Sequence, residues 1–597
     1  MTTKEGAARD NGGSDLLYKV SERPPLHITA ILSFQQVLIS LAGSLAVSSF
    51  VADAACAEDD MDLKSRLLSS TLLMNGVTTL LMVTIGIRLP LYQGAAALYI
   101  VPLIAIQSVD QNRCLISEEA NSTRHYGMSL SSNSNTVSFE GIENPALKHL
   151  AMTRIREMAG SLMVAGIVHF AIGATGLVGL ALRVIGPVTI VPTVLLSGLY
   201  LTRAVTKFSK THWGIAFATA AMAIIMSIYL SKKKTPVPAW SKERGFYWTR
   251  YPFHQMFAIM IGMLFGWALS GIMTAADVIP FDPKSIHFKA RTDARGDVVE
   301  NANWFYFPYP GQFGSPIFET GAFSAFLIAT FISILDSIGD YYACAMICNV
   351  PPPPAHGVNR GIAIEGLCTA LSGAMGCGHA TSTQGGNIGA IGITKVASRS
   401  VFLGASIIFI LFGLVGKVSA IFVTMPYPVL GGGMLVMYGM FTGVVLSNLQ
   451  VVSLKSTRNL AIIGISILSG LMIPRWIETT PDAIDTGNLT ADKILKVLLA
   501  NPNLTGGIVS CLLDNTTPAT LQERGISAWR PQHSVKQNGD DKNSSFIMEQ
   551  SSRSEGLEVY DLPFSIRCIP EKLLKYIPFL PRPNNSQEIF PMPQFNV

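Results

Sequence analysis

The chain of 597 residues is 49% hydrophobic and only 14% charged, with a mean hydropathy of +0.38 and a formal net charge of +5. Soluble domains carry about 25% charged residues, so this composition excludes a soluble enzyme and describes a polytopic membrane protein. The small positive balance is spread over loops, which excludes a nucleic-acid-binding face.

Residues 1–26 are polar, with no basic stretch leading into an apolar segment and a small-residue cleavage site. No cleavable leader is expected, and the first span inserts as it stands. Apolar windows able to cross a bilayer follow at 28–50, 68–87, 159–182, 188–201, 213–231, 256–275, 322–347, 401–416, 428–446 and 460–474. Weaker windows lie at 362–378 and 494–513, and two short ones, at 91–106 and 385–396, carry a Gln-Gly pair at or near their start. The pattern predicts an all-α polytopic fold of about fourteen spans occupying 27–514.

Lys232, Lys233, Lys234, Lys242, Arg244 and Arg250 place the loop at about 231–251 in the cytosol. An even span count then puts both termini there, as a tail at 1–26 and a polar, largely disordered tail at 515–597. The loop at about 107–154 falls outside and carries the sequon at Asn121, a candidate glycosylation site. Cys56 and Cys114 also fall outside, where a disulfide between them is expected, with two free thiols as the alternative. The eight cysteines lack CxxC or Cys/His spacing, which argues against a zinc or redox centre.

The stretch "TQGGNIGAIGITK" (383–395) interrupts this apolar chain. It lacks GxxxxGK[ST] spacing, so it is not a phosphate loop. Gly386, Gly389 and Gly392 recur every third residue, which suits close helix packing. The small polar lead-in at 380–385 suggests instead an extended piece feeding a half-helix, whose unpaired N–H groups bind an anion or a carbonyl-rich ring. "LYQGAAALYI" (91–100) parallels it, as in an inverted repeat with a midplane site. On pattern alone, packing seam and binding site both stay open.

Asp336 and Asp340 lie four residues apart within an apolar window and share one helical face. A lone acid at mid-bilayer costs roughly 2.5–3.5 kcal/mol, so protons, a metal ion or a polar substrate must offset the pair. Hydration at the helix end is the plainer reading for Asp340. Glu365, a third acid in an apolar segment, reads as a structural hydrogen bond to a neighbouring helix. His169 and His379 read as packing residues.

The segments "GIRLPLYQ" (86–93), "DSIGDYYACA" (336–345), "PPPPAHGVNRGI" (351–362), "GNIGAIGITKVASR" (386–399) and "LSNLQ" (446–450) resemble the nucleobase/ascorbate transporter family, in its animal sodium-dependent vitamin C transporter branch. The resemblance runs from about 25 to 524 and returns at "YDLPF" (560–564) and "LKYIP" (574–578). It implies fourteen transmembrane segments as 7+7 inverted repeats, core and gate domains, short extended pieces before half-helices 3 and 10, elevator-type movement and a homodimer. It assigns substrate contact to Gln36, Ala96, Ala97, Asp336, Gly385, Gly386 and Asn387, and sodium to Asp340 and Gln93. The signature residues are Gly389, Thr394 and Lys395, with Glu365 beside them in translocation. Four positions depart from the family pattern: Gln36 replaces His, Ala97 an aromatic, Asp336 Glu, and Gly386 a side chain that touches substrate.

The function expected is a plasma-membrane symporter that uses Na+ to accumulate a small polar solute, L-ascorbate by branch resemblance. A nucleobase is the alternative substrate, and a non-transporting membrane sensor or scaffold with a diverged pocket is the alternative of another class. No cofactor is expected beyond the coupling ion.

Overall fold

The computed structural model describes residues 16–109, 145–178, 186–524, 556–563 and 578–580, apart from breaks at 59, 232, 242–244, 252–253, 255–256, 283–284, 448, 450–451, 481–482 and 521–522. Helices α1 (Leu26–Ala54) and α2 (Met61–Thr84) lead into strand β1 (Gln93–Ala95) and helix α3 (Ile100–Val109). Then come α4 (Pro145–Thr175), α5 (Pro187–Tyr200), α6 (Thr202–Ser209) and α7 (Trp213–Ile224), which runs into a π-helical turn at Ile225–Tyr229. Strands β2 (Thr235–Ser241) and β3 (Gly245–Tyr251) form a hairpin before α8 (Ala258–Ala275). The second half holds α9 (Thr320–Ile347), α10 (Ala355–Ala374), β4 (Thr381–Thr383), α11 (Gly385–Thr394), α12 (Arg399–Leu414) and α13 (Gly416–Val423). It closes with α14 (Tyr427–Ser447), α15 (Thr457–Thr479), α16 (Leu489–Leu499) and α17 (Pro502–Thr516).

Among the described residues seven helices are long and apolar enough to cross a membrane, or eight if α12 and α13, bent by 84°, count as one span. The helices pack as two groups. One gathers α1–α4 and α9–α13; the other gathers α5–α8, α14, α15 and α17, while α16 touches both. Polar caps set several boundaries: Asp60 accepts from the Leu63 amide at the start of α2, and Asn501 from the amides of Asn503 and Leu504 at the start of α17.

Several expectations need correction. The short extended pieces expected within the all-α fold stand as β1 and β4, paired with each other, but the second two-stranded sheet, β2–β3, departs from that reading. The 231–251 loop forms the second of these, turning near Gly245 at φ +65°. The window at 494–513 is not one span: Asn501 as cap and Pro502 as first helical residue break it into α16 and α17. The transmembrane boundary at 514 falls inside α17.

The tail from 515 onward is not simply a free appendage. Tyr560 is fully buried and donates to the Pro351 carbonyl at 2.6 Å. Arg399 Nη2 reaches the Val559 carbonyl and Arg360 Nη2 the Tyr560 carbonyl, each at 2.6 Å. The same two guanidinium groups use Nε to hold the Arg88 and Gly86 carbonyls, in the turn that leads to β1. The N-terminal segment meets this place too, with Leu17 N donating to Lys395 O at 2.7 Å and Ala397 N to Tyr18 O at 2.9 Å. Cys114 and Asn121 lie outside the described residues; Cys56 is disulfide-bonded, with its partner also outside them.

Candidate functional site

Strands β1 and β4 pair antiparallel, Gln93 with Thr383, Gly94 with Ser382 and Ala95 with Thr381. These three-residue strands give two interrupted spans a shared ladder, which satisfies backbone groups that bare hydrocarbon would leave unpaired. Gly94 is needed there, because a Cβ would stand 2.6 Å from the Tyr92 ring and 3.0 Å from the Gln384 side chain. Gln384 locks the crossing by donating from Nε2 to the Ala95 carbonyl at 3.0 Å, and stands at the residue just before α11.

A cavity of about 250 Å³ lies beside this crossing, between the two helix groups. From the first group it is lined by Gln35, Leu38, Ile39, Ser40, Gly43, Ala95, Ala97, Asp336, Asp340 and the run Ser382–Asn387, with Gly389 and Ala390. The second group supplies Ser227, Phe257–Met260, Met437, Tyr438, Met440, Phe441 and Val445. Polar groups therefore face a mostly apolar wall, the usual composition of a small-molecule site.

Asp336 and Asp340 both reach the cavity, one helical turn apart on α9. A Cβ on Gly385 would sit 3.3 Å from Asp340 Oδ1, so the glycine lets that carboxylate approach the first turn of α11. Cβ atoms on Gly386 and Gly389 would meet nothing within 4 Å, and one on Gly392 only Ile347 at 3.9 Å. The three-residue glycine spacing is thus not a tight packing seam. At Gly386 and Gly389 it leaves the α11 face bare towards the cavity.

Asn387 lines the cavity but is clipped to α1: Ser40 Oγ donates to its Oδ1 at 2.9 Å, and its Nδ2 donates to Gln36 Oε1 at 2.6 Å. Gln36 therefore stands behind Asn387 as a positioning residue, and Gln35 faces the cavity in its place. Ala96 is likewise fully buried behind the wall, its amide donating to the Ala380 carbonyl, while Ala95 and Ala97 line it.

Glu365 sits in a network just behind the strands. Its Oε1 accepts from Tyr341 Oη at 2.8 Å, Gln93 Nε2 at 3.0 Å and Thr383 Oγ1 at 3.3 Å. One carboxylate thereby ties α9, α10, β1 and β4 together. Gln93 does not line the cavity; its amide nitrogen is spent on Glu365, and its buried Oε1 lacks a hydrogen-bond partner among the described residues. Thr394 and Lys395 lie away from the cavity, at the end of α11. Thr394 Oγ1 accepts from Val396 N at 3.3 Å, and Lys395 adopts a left-handed φ of +59° that ends the helix. His379 is held by Thr71 and the Ala380 carbonyl.

Among the described residues no group of three or more His, Cys, Asp or Glu side chains is placed to hold a metal ion. An alkali cation asks less: Asp340 supplies hard carboxylate oxygens of the kind that suit sodium. Sequence reasoning missed Ser40 and the second-group wall, and reached Ser382 and Thr383 only as part of the extended lead-in at 380–385. A serine within an apolar window looks like an ordinary helix residue in sequence, and the apolar wall carries no motif.

Residues 27–479 match the Permease family. The chain belongs to this family. It is 36% identical over 568 residues to solute carrier family 23 member 1 of Mus musculus, covering 95% of this chain and 89% of that protein. It is 38% identical over 571 residues to solute carrier family 23 member 2 of Homo sapiens, covering 95% and 83%. Nucleobase-ascorbate transporter 2 of Arabidopsis thaliana is 27% identical over 560 residues, covering 92% and 95%. The protein is a multi-pass membrane transporter for a small molecule and not an enzyme.

Proposed function

We propose that this transporter is a sodium-coupled symporter of L-ascorbate. The observation that carries the reading is the cavity itself: two acids one turn apart face the bare, glycine-built first turn of α11. The helix N-terminus attracts the anionic ring oxygen of ascorbate, while the acids call for cations. Asp340 holds sodium; Asp336 accepts hydrogen bonds from substrate hydroxyls; and the Gly386 and Asn387 backbone covers the other side. Each sodium charge moving inward contributes about 2.3 kcal/mol per 100 mV.

The two helix groups with the cavity between them support a core of α1–α4 and α9–α13 that slides as an elevator against a gate of the remaining helices. Counting the strand-interrupted pairs β1/α3 and β4/α11 as spans fits fourteen segments in two inverted halves. The gate helices form the homodimer contact; the basic residues at 231–251 support a cytosolic position for that loop, and an even span count supports both termini on the same side of the plasma membrane.

The test is radiolabelled uptake in cells that display the protein at their surface, with and without sodium, beside Asp340→Asn. Sodium-dependent ascorbate uptake that Asp340→Asn reduces by at least tenfold is expected. Accumulation of uracil or xanthine in place of ascorbate moves the substrate to a nucleobase, and accumulation of none of them refutes both substrate assignments.

A further inference from the structure

We propose that the β2–β3 hairpin is a docking surface for anionic lipid headgroups of the membrane leaflet it faces. The register pairs Pro236 with Arg250, Pro238 with Trp248 and Trp240 with Phe246, and directly opposed residues share one sheet face. On that face Phe246 and Trp248 are 84% and 72% exposed, and Arg250 and Pro236 are exposed beside them. Lys233 and Lys234, also exposed, lead into it. The segment 231–251 holds Lys232, Lys233, Lys234, Lys242, Arg244 and Arg250 against one acid, Glu243.

A two-stranded hairpin is marginal in water on its own, and this one shows large aromatics to solvent. Aromatics interleaved with basic residues are the chemistry of the headgroup layer, where the ring enters the boundary and the cation meets phosphate or carboxylate. The tethers keep it there. Residues 231–234 join it to the π-helical turn and 252–257 join it to α8. At 3.3–3.6 Å per residue, the four residues of the shorter tether reach about 14 Å at most, which keeps the hairpin near the end of the π-helical turn. Thr235 Oγ1 and His254 Nε2, 2.8 Å apart, fasten its base.

The hairpin also leads to the transport site. Ser227 on the π-helical turn and Phe257 and Ala258 at the start of α8 line the cavity.

The test needs no substrate, so it stands whatever solute is carried. Purified full-length protein is reconstituted in phosphatidylcholine vesicles containing either brominated phosphatidylcholine or brominated phosphatidylserine. Quenching of Trp248 is read as the difference between wild type and Trp248→Phe. Phosphatidylserine is expected to quench it about twofold more strongly, and Lys233→Gln/Lys234→Gln/Arg250→Gln is expected to erase that excess without lowering the melting temperature in phosphatidylcholine. Equal quenching by the two lipids, quenching by neither, or an excess that survives the triple substitution overturns the proposal. Quenching by neither would place the hairpin against protein or water.

Discussion

Gly386 is where one missing side chain matters most. It lies in the first turn of a half-helix, lines the cavity, and has open space where a Cβ would be. Its negative-φ helical setting does not require glycine, and glycine costs about 1 kcal/mol against alanine in such a place. Gly386→Ala is therefore expected to leave melting temperature unchanged or raised. Gly386→Leu is expected to fold as well but to raise the KM for the transported solute by about tenfold, because the new side chain occupies volume the solute needs. Thermal unfolding and uptake kinetics on the same preparations check both. The acids at 336 and 340 were legible in the sequence as a helical pair, because an ionisable residue in an apolar window has few innocent explanations. Which member of Gln35-Gln36 faces the cavity was not legible, since neighbours on a helix differ by a rotation that only packing fixes.

At the scale of elements, short pieces tie the two helix groups together away from the cavity. Asp53 at the end of α1 meets Lys207 of α6 at 2.9 Å and Lys64 of α2 at 3.6 Å, while Lys64 donates to Tyr427 of α14 at 2.8 Å. Glu58, in the link between α1 and α2, pairs with Lys289 at 3.0 Å and Lys207 at 3.7 Å. Burial opposes its charge, but Lys207, Lys289 and Lys64 outweigh that and hold its carboxyl at about 2, below the ordinary 4.5. A depressed folded-state value contributes stability that is complete above about pH 4.5 and is lost as pH falls towards 2. Melting temperature is thus expected to be insensitive to Glu58 titration between pH 6 and 8 and to fall below about pH 4.5. Glu58→Gln should lower it at neutral pH and flatten the acid limb. The long helices and the interrupted pair were readable from apolar windows and glycine runs. The antiparallel ladder joining 93–95 to 381–383 was not, because it pairs residues nearly 300 positions apart and each strand is too short to show a period.

For the whole molecule, the chain ends are part of the transporter. The strap at 556–563 supplies carbonyls to Arg360 and Arg399, whose other nitrogens grip the turn before β1. Losing a fully buried aromatic typically costs about 3–5 kcal/mol, so Tyr560→Ala is expected to lower melting temperature and surface abundance clearly. A chain ending at Glu555 should do the same, whereas one ending at Leu580 should behave as the full length. Differential scanning fluorimetry and surface biotinylation distinguish the three. The low complexity of 532–556 hid this contact in the sequence; only the motif at 560–564 hinted at it.

The strap also imposes an order of events during synthesis. Helix α17 ends at Thr516, so every helix of the two bundles has been made before Val559 and Tyr560 leave the ribosome. Until then Arg360 and Arg399 lack two of their carbonyl acceptors, and the seam that aligns the two interrupted spans stays unfinished. Premature stop codons between Thr516 and Leu557 are therefore not silent trimming of a tail: they leave a fully inserted protein that quality control meets as incompletely folded.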